Sequence, residues 1–299
     1  MAAVVGKLFA MADAAQSRAG AGGETILRVR GLVKRFDGRA VLDGIDMEVG
    51  PGETLVIMGG SGCGKSTLLR CLIGSIKPDA GSIEMFGRDL CKQSEAGLDE
   101  LRKQFGILFQ SGALYNSMTV GENVALPLRE HTSLDEGTIE TIVKIKLEQV
   151  ALREHADKFP GQLSGGMKKR AGLARAMVLD PKILFYDEPS AGLDPVTGAE
   201  IDRLIVDLCK GLGVASIVVT HEMGSAFTIA DRMLMLDKGR VLRVAERGWF
   251  EKLRGMPEVE SAGLAEGERI IRQFLRGDAT GPLTERRGGS SYAEDLLEP

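Results

Sequence analysis

From Thr25 onward the chain alternates short apolar runs with longer stretches whose apolar positions recur every three to four residues. The runs fall at 25–30 (TILRVR), 54–58 (TLVIM), 105–109 (FGILF), 182–186 (KILFY), 214–219 (VASIVV) and 232–236 (RMLML). Several are almost unbroken apolar, which predicts strands covered on both faces in a mostly parallel sheet. Strands separated by helical stretches predict an α/β layering. Between 111 and 180 the helical period takes over. Ile139, Ile142, Val143, Lys146, Leu147 and Val150 make one stripe, apolar but for a lysine at its margin. That block predicts a helical lobe inserted into the sheet. After about 245 the pattern loosens. Ile270, Ile271, Phe274 and Leu275 predict a short helix over 267–276, followed by a Gly/Arg/Ser/Thr-rich linker over 277–291 and a YAEDLLEP end. The chain divides into a tail over 1–24, a main unit over 25–245 and an extension over 246–299.

Composition narrows the classes. Lys and Arg number 38 against 42 Asp and Glu, a net charge of −4. Nucleic-acid domains carry a basic excess, so a general polyanion binder is not expected. Cys63, Cys71, Cys91 and Cys209 form no CxxC pair and only three histidines accompany them. Reduced thiols fit that spacing better than a zinc site or a disulfide framework. No stretch approaches the roughly 20 apolar residues of a membrane span. Lys7 and Asp13 interrupt the Ala/Gly-rich start, which reads as a flexible tail rather than a secretion signal. A soluble intracellular chain is therefore expected. Glycine is the outlier: 39 of 299 residues, roughly twice the usual share.

Many of those glycines sit beside chemistry. TLVIM runs into Gly59-Gly60-Ser61-Gly62-Cys63-Gly64-Lys65-Ser66-Thr67 and then a helical stretch with Leu68, Leu69, Leu72 and Ile73. This is GxxxxGKS between a strand and a helix, the context a P-loop requires. Glycines let backbone N–H groups wrap phosphate oxygens, and the helix start adds partial positive charge. Lys65 would reach the β and γ phosphates of a nucleotide and Ser66 would hold Mg²⁺. Cys63, beside Lys65 and the helix start, is expected to favour its thiolate. A second element closes the KILFY strand with Asp187-Glu188-Pro189. Successive strand residues point to opposite sides, so the two carboxylates divide the work. Asp187 suits a water-mediated Mg²⁺ contact, and Glu188 suits deprotonation of an attacking water.

The third element is Leu163-Ser164-Gly165-Gly166, followed by MKKRAGLARA. Ser164 is a good N-cap. Lys168, Lys169 and Arg170 then occupy a helix start, where the dipole disfavours cations. A docked anion would explain them; a solvated basic face is the plainer alternative. The P-loop already holds one nucleotide, so the anion would be a phosphate on a second subunit's nucleotide.

The order of P-loop, Gln110, LSGG, Asp187-Glu188, Gly192-Leu193-Asp194 and His221 resembles the nucleotide-binding subunits of ABC transporters, over about 25–245. The resemblance implies an α/β P-loop NTPase cassette: a mostly parallel core sheet, an antiparallel β part and an inserted helical lobe. It implies ATP hydrolysis with Mg²⁺. Gln110 would touch Mg²⁺ and the water, His221 would contact the γ-phosphate, and Phe36 would stack on adenine. Ser164 and Gly166, with Gly165 between them, would contact the γ-phosphate of ATP held by a second copy bound head to tail. Asp194 would lie at the seam between the copies. An integral membrane permease and a peripheral place on the cytoplasmic face of the inner membrane are also implied.

One departure stands out: the commonest family signature continues with Gln where this chain has Met167. Met cannot make an amide hydrogen bond. LSGGMKKRAGLARA, with FQSGALYNSMTVGENVALPLREHT over 109–132, resembles the ATPases of Mla-type phospholipid transporters. That implies an MCE-domain protein and a small regulatory subunit as further partners. Two other readings stay open: an importer of amino acids or other polar solutes, and a soluble ABC ATPase acting on nucleic acid. The single cassette without heptads or a basic patch weighs against the last. Tyr292, Leu296 and Leu297 end the chain either as a disordered tail or as a peptide that docks on a neighbour.

Overall fold

The computed structural model describes residues 25–261 and 263–285. The chain opens with two long antiparallel strands, β1 (Leu27–Phe36) and β2 (Arg39–Val49). Next come the short β3 (Thr54–Met58), α1 (Lys65–Leu72), β4 (Ala80–Met85), β5 (Arg88–Asp89), α2 (Glu95–Arg102) and β6 (Phe105–Leu108). Three helices follow before the next strand: α3 (Val120–His131), α4 (Glu136–Gln149) and α5 (Gly165–Ala176). The chain returns through β7 (Ile183–Asp187), α6 (Pro195–Leu212), β8 (Ala215–Val219), α7 (Met223–Ile229), β9 (Arg232–Asp237) and β10 (Arg240–Glu246). It then runs through α8 (Arg247–Gly255), α9 (Glu258–Ser261), α10 (Glu266–Arg276) and α11 (Pro282–Glu285).

Two sheets result. Four strands form an antiparallel sheet in the order β2-β1-β4-β5. The other six run β10-β9-β3-β8-β7-β6, with β9 through β6 parallel and β10 antiparallel at the edge. Every residue of β3 and of β8 is buried. Residue parity sorts the two faces. Val56, Met58, Leu184, Tyr186, Val218, Met233 and Met235 face a core shared with α3–α6. Leu55, Ile57, Ile183, Phe185, Ile217, Val219, Leu234 and Leu236 face the other core, against α1 and the antiparallel sheet. The central sheet is thus covered on both sides, which is why its strands read as continuous apolar runs.

Each of the six apolar runs is a strand in the structure, with bounds shifted by at most two residues except that the first continues to Phe36. Four strands escaped the apolar-run criterion: β2, β4, β5 and β10. β2 buries Leu42, Ile45, Met47 and Val49 and leaves Glu48 exposed between them, the alternation of a strand with one covered face. The α4 stripe packs as expected, and its marginal Lys146 is buried in an ion pair with Asp180.

The helical lobe is tied to the loop that precedes it by one buried amide. Asn123, with no exposed surface, donates to the carbonyls of Tyr115 (3.1 Å), Met118 (3.2 Å) and Thr119 (2.9 Å). Its Oδ1 accepts the Tyr115 N–H at 2.8 Å. The segment leaving β6 is therefore held against the start of α3.

The extension also joins the core: Phe250, Leu253, Ile271 and Leu275 belong to the cluster under the helical lobe. The stretch read as a linker from 277 begins instead with packed chain. Gln273 on α10 donates to the Asp278 carbonyl (3.1 Å) and accepts the Leu283 N–H (2.7 Å), clamping α11 against α10. The tail over 1–24 and the terminal YAEDLLEP peptide lie outside the described residues. Among those residues, no helix is long and apolar enough to cross a membrane.

Replacing Asn123 with Leu strands buried donors and acceptors of the 115–119 loop. We expect a loss of about 3 kcal/mol in urea unfolding, since each buried unpaired group costs about 1–3 kcal/mol. Amide exchange at 115–119 should speed up; unchanged exchange there would show that the loop is held by other contacts.

Candidate functional site

The parallel strands end on one edge, and the chemistry collects there. Ile57, Val219 and Asp187 share a row across β3, β8 and β7. The loop after β3, His221 after β8, Glu188 after β7 and Gln110 after β6 therefore emerge side by side. They line a cavity of about 790 Å³ with Gly59, Gly60, Ser61, Gly62, Cys63, Lys65, Ser66 and Asp187. This is the crevice at the carboxyl ends of strands where open α/β sheets hold ligands.

The phosphate loop is shaped by its neighbours. Gly59 has φ 155°, and a Cβ there would lie 2.2 Å from the Leu236 carbonyl of β9. Gly64 precedes α1 and supplies no side-chain cap, which leaves the helix start open to an anion. Lys65 Nζ donates to the carbonyls of Gly59 (2.7 Å) and Gly60 (3.1 Å), which keeps the ammonium inside the loop. Uncapped amides, a left-handed glycine cradle and one cation fit a polyphosphate.

The acidic side of the cavity is more constrained. Burial and the neighbouring Glu188 push the Asp187 carboxyl above the usual carboxylate range. A cation held by Asp187, Ser66 and Gln110 would offset that charge crowding. Glu188 sits at φ 48°, unusual for a residue with a Cβ. Its N–H donates to the Val219 carbonyl at 2.9 Å, so β8 holds it. Glu188 Oε1 lies 2.8 Å from His221 Nδ1. An ionised Glu188 selects a proton on Nδ1, and the remaining ring nitrogen is free to face a ligand.

The signature helix lies apart from this cavity. Ser164 caps α5 by accepting the Met167 N–H at 3.3 Å, while the Met167 side chain packs on the core. A Cβ on Gly166 would come within 2.4 Å of Thr197, at the start of α6. Asp194 caps that same helix through the N–H groups of Val196 (3.1 Å) and Thr197 (3.0 Å), and the Thr197 hydroxyl holds its carboxyl below the ordinary range. Ser164, Gly165, Gly166 and Asp194 thus pack near one another but do not line the phosphate cavity. Nor do Gly64, Thr67 or Phe36. Phe36 is exposed at the end of β1, with Lys34 Nζ 5.3 Å from its ring centre.

Two expectations are corrected. Lys169 was grouped with cations meeting a docked anion, but it is buried and its Nζ donates to the Glu188 carbonyl of its own chain at 2.9 Å. Cys63 was expected to favour its thiolate. Burial outweighs the attraction of Lys65 and raises its affinity for the proton. Sequence reading also missed one wall of the cavity: Gln273, Phe274, Gly277, Asp278, Leu283 and Thr284 from α10 and α11. Periodicity marked α10 as a helix, but no local pattern showed that it returns to the strand edge.

At pH 7 the raised affinity leaves Cys63 less ionised than a free cysteine. We expect iodoacetamide to label Cys63 in the native protein more slowly than it labels free cysteine, with the rate climbing as the pH passes 9. Peptide mass spectrometry over time reads this; faster labelling than free cysteine at neutral pH would contradict it.

Comparison with known proteins agrees with this geometry. The family model for the ABC transporter domain matches residues 42–191. The "Probable ribonucleotide transport ATP-binding protein mkl" of Mycobacterium leprae is 42% identical, over 91% of this chain and 76% of its own. The "Intermembrane phospholipid transport system ATP-binding protein MlaF" of Haemophilus influenzae is 39% identical, over 92% of this chain and 99% of its own. Among solved structures, the dimeric, post-hydrolysis ATP-binding cassette MJ0796 bound to ADP and Pi superposes with a TM-score of 0.68 at 28% identity. That superposition covers 74% of this chain and 98% of MJ0796. With its phosphate loop, carboxylate pair and signature helix in place on this fold, the chain belongs to the ABC transporter family as an ATP-hydrolysing cassette.

Proposed function

We propose that this chain is the ATPase subunit of a phospholipid transporter, working as a head-to-tail pair of copies beneath a membrane permease. One observation carries the pairing: the cavity gathers the phosphate loop, Gln110, Asp187, Glu188 and His221, whereas Ser164–Gly166 lie outside it. Each copy so holds half of two sites. ATP bound at one copy's phosphate loop would meet the other copy's helix start, where Ser164 and Gly165 are exposed and Gly166 is buried behind them.

Within the pair, the loop amides and Lys65 bind the β and γ phosphates, and Phe36 stacks on the adenine. Mg²⁺ held by Ser66, Gln110 and Asp187 would neutralise charge on the phosphates. Gln110 orients the water. Glu188 takes its proton as the new P–O bond forms and the bond to the ADP oxygen breaks. His221, kept in place by Glu188, faces the γ-phosphate. Asp194 lies at the seam.

The cargo reading rests on extent. The MlaF match runs almost end to end in both chains, including the extension after 245, whereas the mkl match leaves a quarter of that protein aside. The name of mkl carries a ribonucleotide cargo, so a polar solute is the outcome to test against. The permease would dock where Phe109 and Tyr115 remain 40% and 56% exposed beside the helical lobe. An MCE-domain protein and a small regulatory subunit complete the assembly. The chain itself would be peripheral, on the cytoplasmic face of the inner membrane.

Glu188→Gln should bind ATP, form a stable ATP-dependent dimer on size exclusion, and lose hydrolysis by about 10²–10⁴-fold. Turnover at the wild-type rate would remove Glu188 as the base. Ser164→Arg should leave ATP affinity intact and abolish that dimer in the Glu188→Gln background. For the cargo, the complex purified with its permease should retain phospholipid by native mass spectrometry. ATP-dependent movement of a ribonucleotide, with no bound lipid, would replace the phospholipid reading.

A further inference from the structure

The signature helix reaches Glu188 from behind. α5 begins at the Ser164 cap, and Lys169 is five residues further on, roughly 7–8 Å along the axis. Lys169 is only 4% exposed. Its ammonium crosses to the end of β7 and donates to the Glu188 carbonyl, which also accepts the Ala191 N–H at 3.2 Å. Glu188 needs such holding, because φ 48° is disfavoured for a residue with a Cβ. Three hydrogen bonds to its main chain keep it there: its N–H donates to the Val219 carbonyl, and its carbonyl accepts from the Ala191 N–H and the Lys169 ammonium.

A buried lysine near a helix start is an expensive way to make a hydrogen bond. Burial weakens its hold on the proton, and only Asp187, Glu188 and Glu222 act the other way. A neutral donor would supply the same bond, so the cation points to an electrostatic task between α5 and the acidic end of β7.

We propose that Lys169 is a positioning residue that links the two ATP sites of the dimer: it couples the start of α5, which meets the partner copy's nucleotide, to the backbone of Glu188 in its own site. A shift of α5 when its start engages ATP moves the Lys169 ammonium and with it the Glu188 peptide. The carboxylate is then aligned only when the other site is filled. This rests on the reading of Glu188 as base and of the dimer as head to tail.

The test uses the full-length chain with Lys169→Met, Lys169→Gln and Lys169→Arg. ATP affinity, read with a fluorescent ATP analogue, should stay within about twofold of wild type. Turnover of Lys169→Met should fall by at least about tenfold with KM nearly constant, and the sigmoidal dependence on ATP should be lost. Lys169→Arg should restore most of the turnover and the sigmoidicity. Lys169→Gln should restore folding, read by thermal melting, but not cooperativity. In the Glu188→Gln background, Lys169→Met should still dimerise with ATP. Wild-type turnover and cooperativity in Lys169→Met, or full rescue by Lys169→Gln, would overturn the coupling. If Glu188→Gln itself hydrolyses ATP normally, the reading of the base fails instead, whatever the Lys169 variants do.

Discussion

Everything at the site depends on the burial of a parallel sheet on both faces. Parallel strands must all point the same way, so their carboxyl ends share one edge. In this chain that edge receives the phosphate loop from β3, the carboxylate pair from β7, His221 from β8 and Gln110 from β6. No one of these segments makes a site. The register across β3, β8 and β7 sets their spacing, and the two cores on either side keep that register from slipping.

The cavity edge also explains why the charged groups are arranged as they are. Asp187 and Glu188 are adjacent and partly withdrawn from water, an arrangement that raises the energy of the doubly ionised pair. Arg70, Lys169 and Lys65 offset it, and the two lysines are tied to backbone carbonyls rather than to the carboxylates themselves. The Glu188 carboxylate is left to the His221 ring and the His221 backbone N–H. A near-neutral net charge hides this local balance.

The motifs of the site were legible in sequence because each is a local geometric device. A phosphate loop needs glycines and a lysine at fixed spacing, and a strand-end Asp-Glu pair needs only its strand. Five of the six runs were legible because two-sided burial in the central sheet leaves no polar alternation; β1, in the antiparallel sheet, was legible from Leu27 and Val29 alternating with exposed or half-buried arginines. β2 and β4 were not, because one covered face halves the apolar signal; β5 and β10 bury none of their residues fully, and turns such as Phe86-Gly87 interrupt the pattern. The excess of glycine reads differently in three dimensions. Gly59 admits the Leu236 carbonyl, whereas Gly166 admits Thr197, a packing need at a helix junction rather than a phosphate contact within its own cavity.

By itself the sequence determined the chemistry on offer: a phosphate loop, two acids, a glutamine, a histidine and a capped signature helix, on an α/β plan. Only the tertiary structure decided which of these meet. It separated Ser164–Gly166 from the cavity that holds Lys65, turned Lys169 inward to Glu188, buried the Cys63 thiol and brought α10 and α11 to the cavity wall. The physical reason is range. Spacing along the chain specifies contacts within a turn or two, but the burial and charge around a side chain are set by segments distant in sequence.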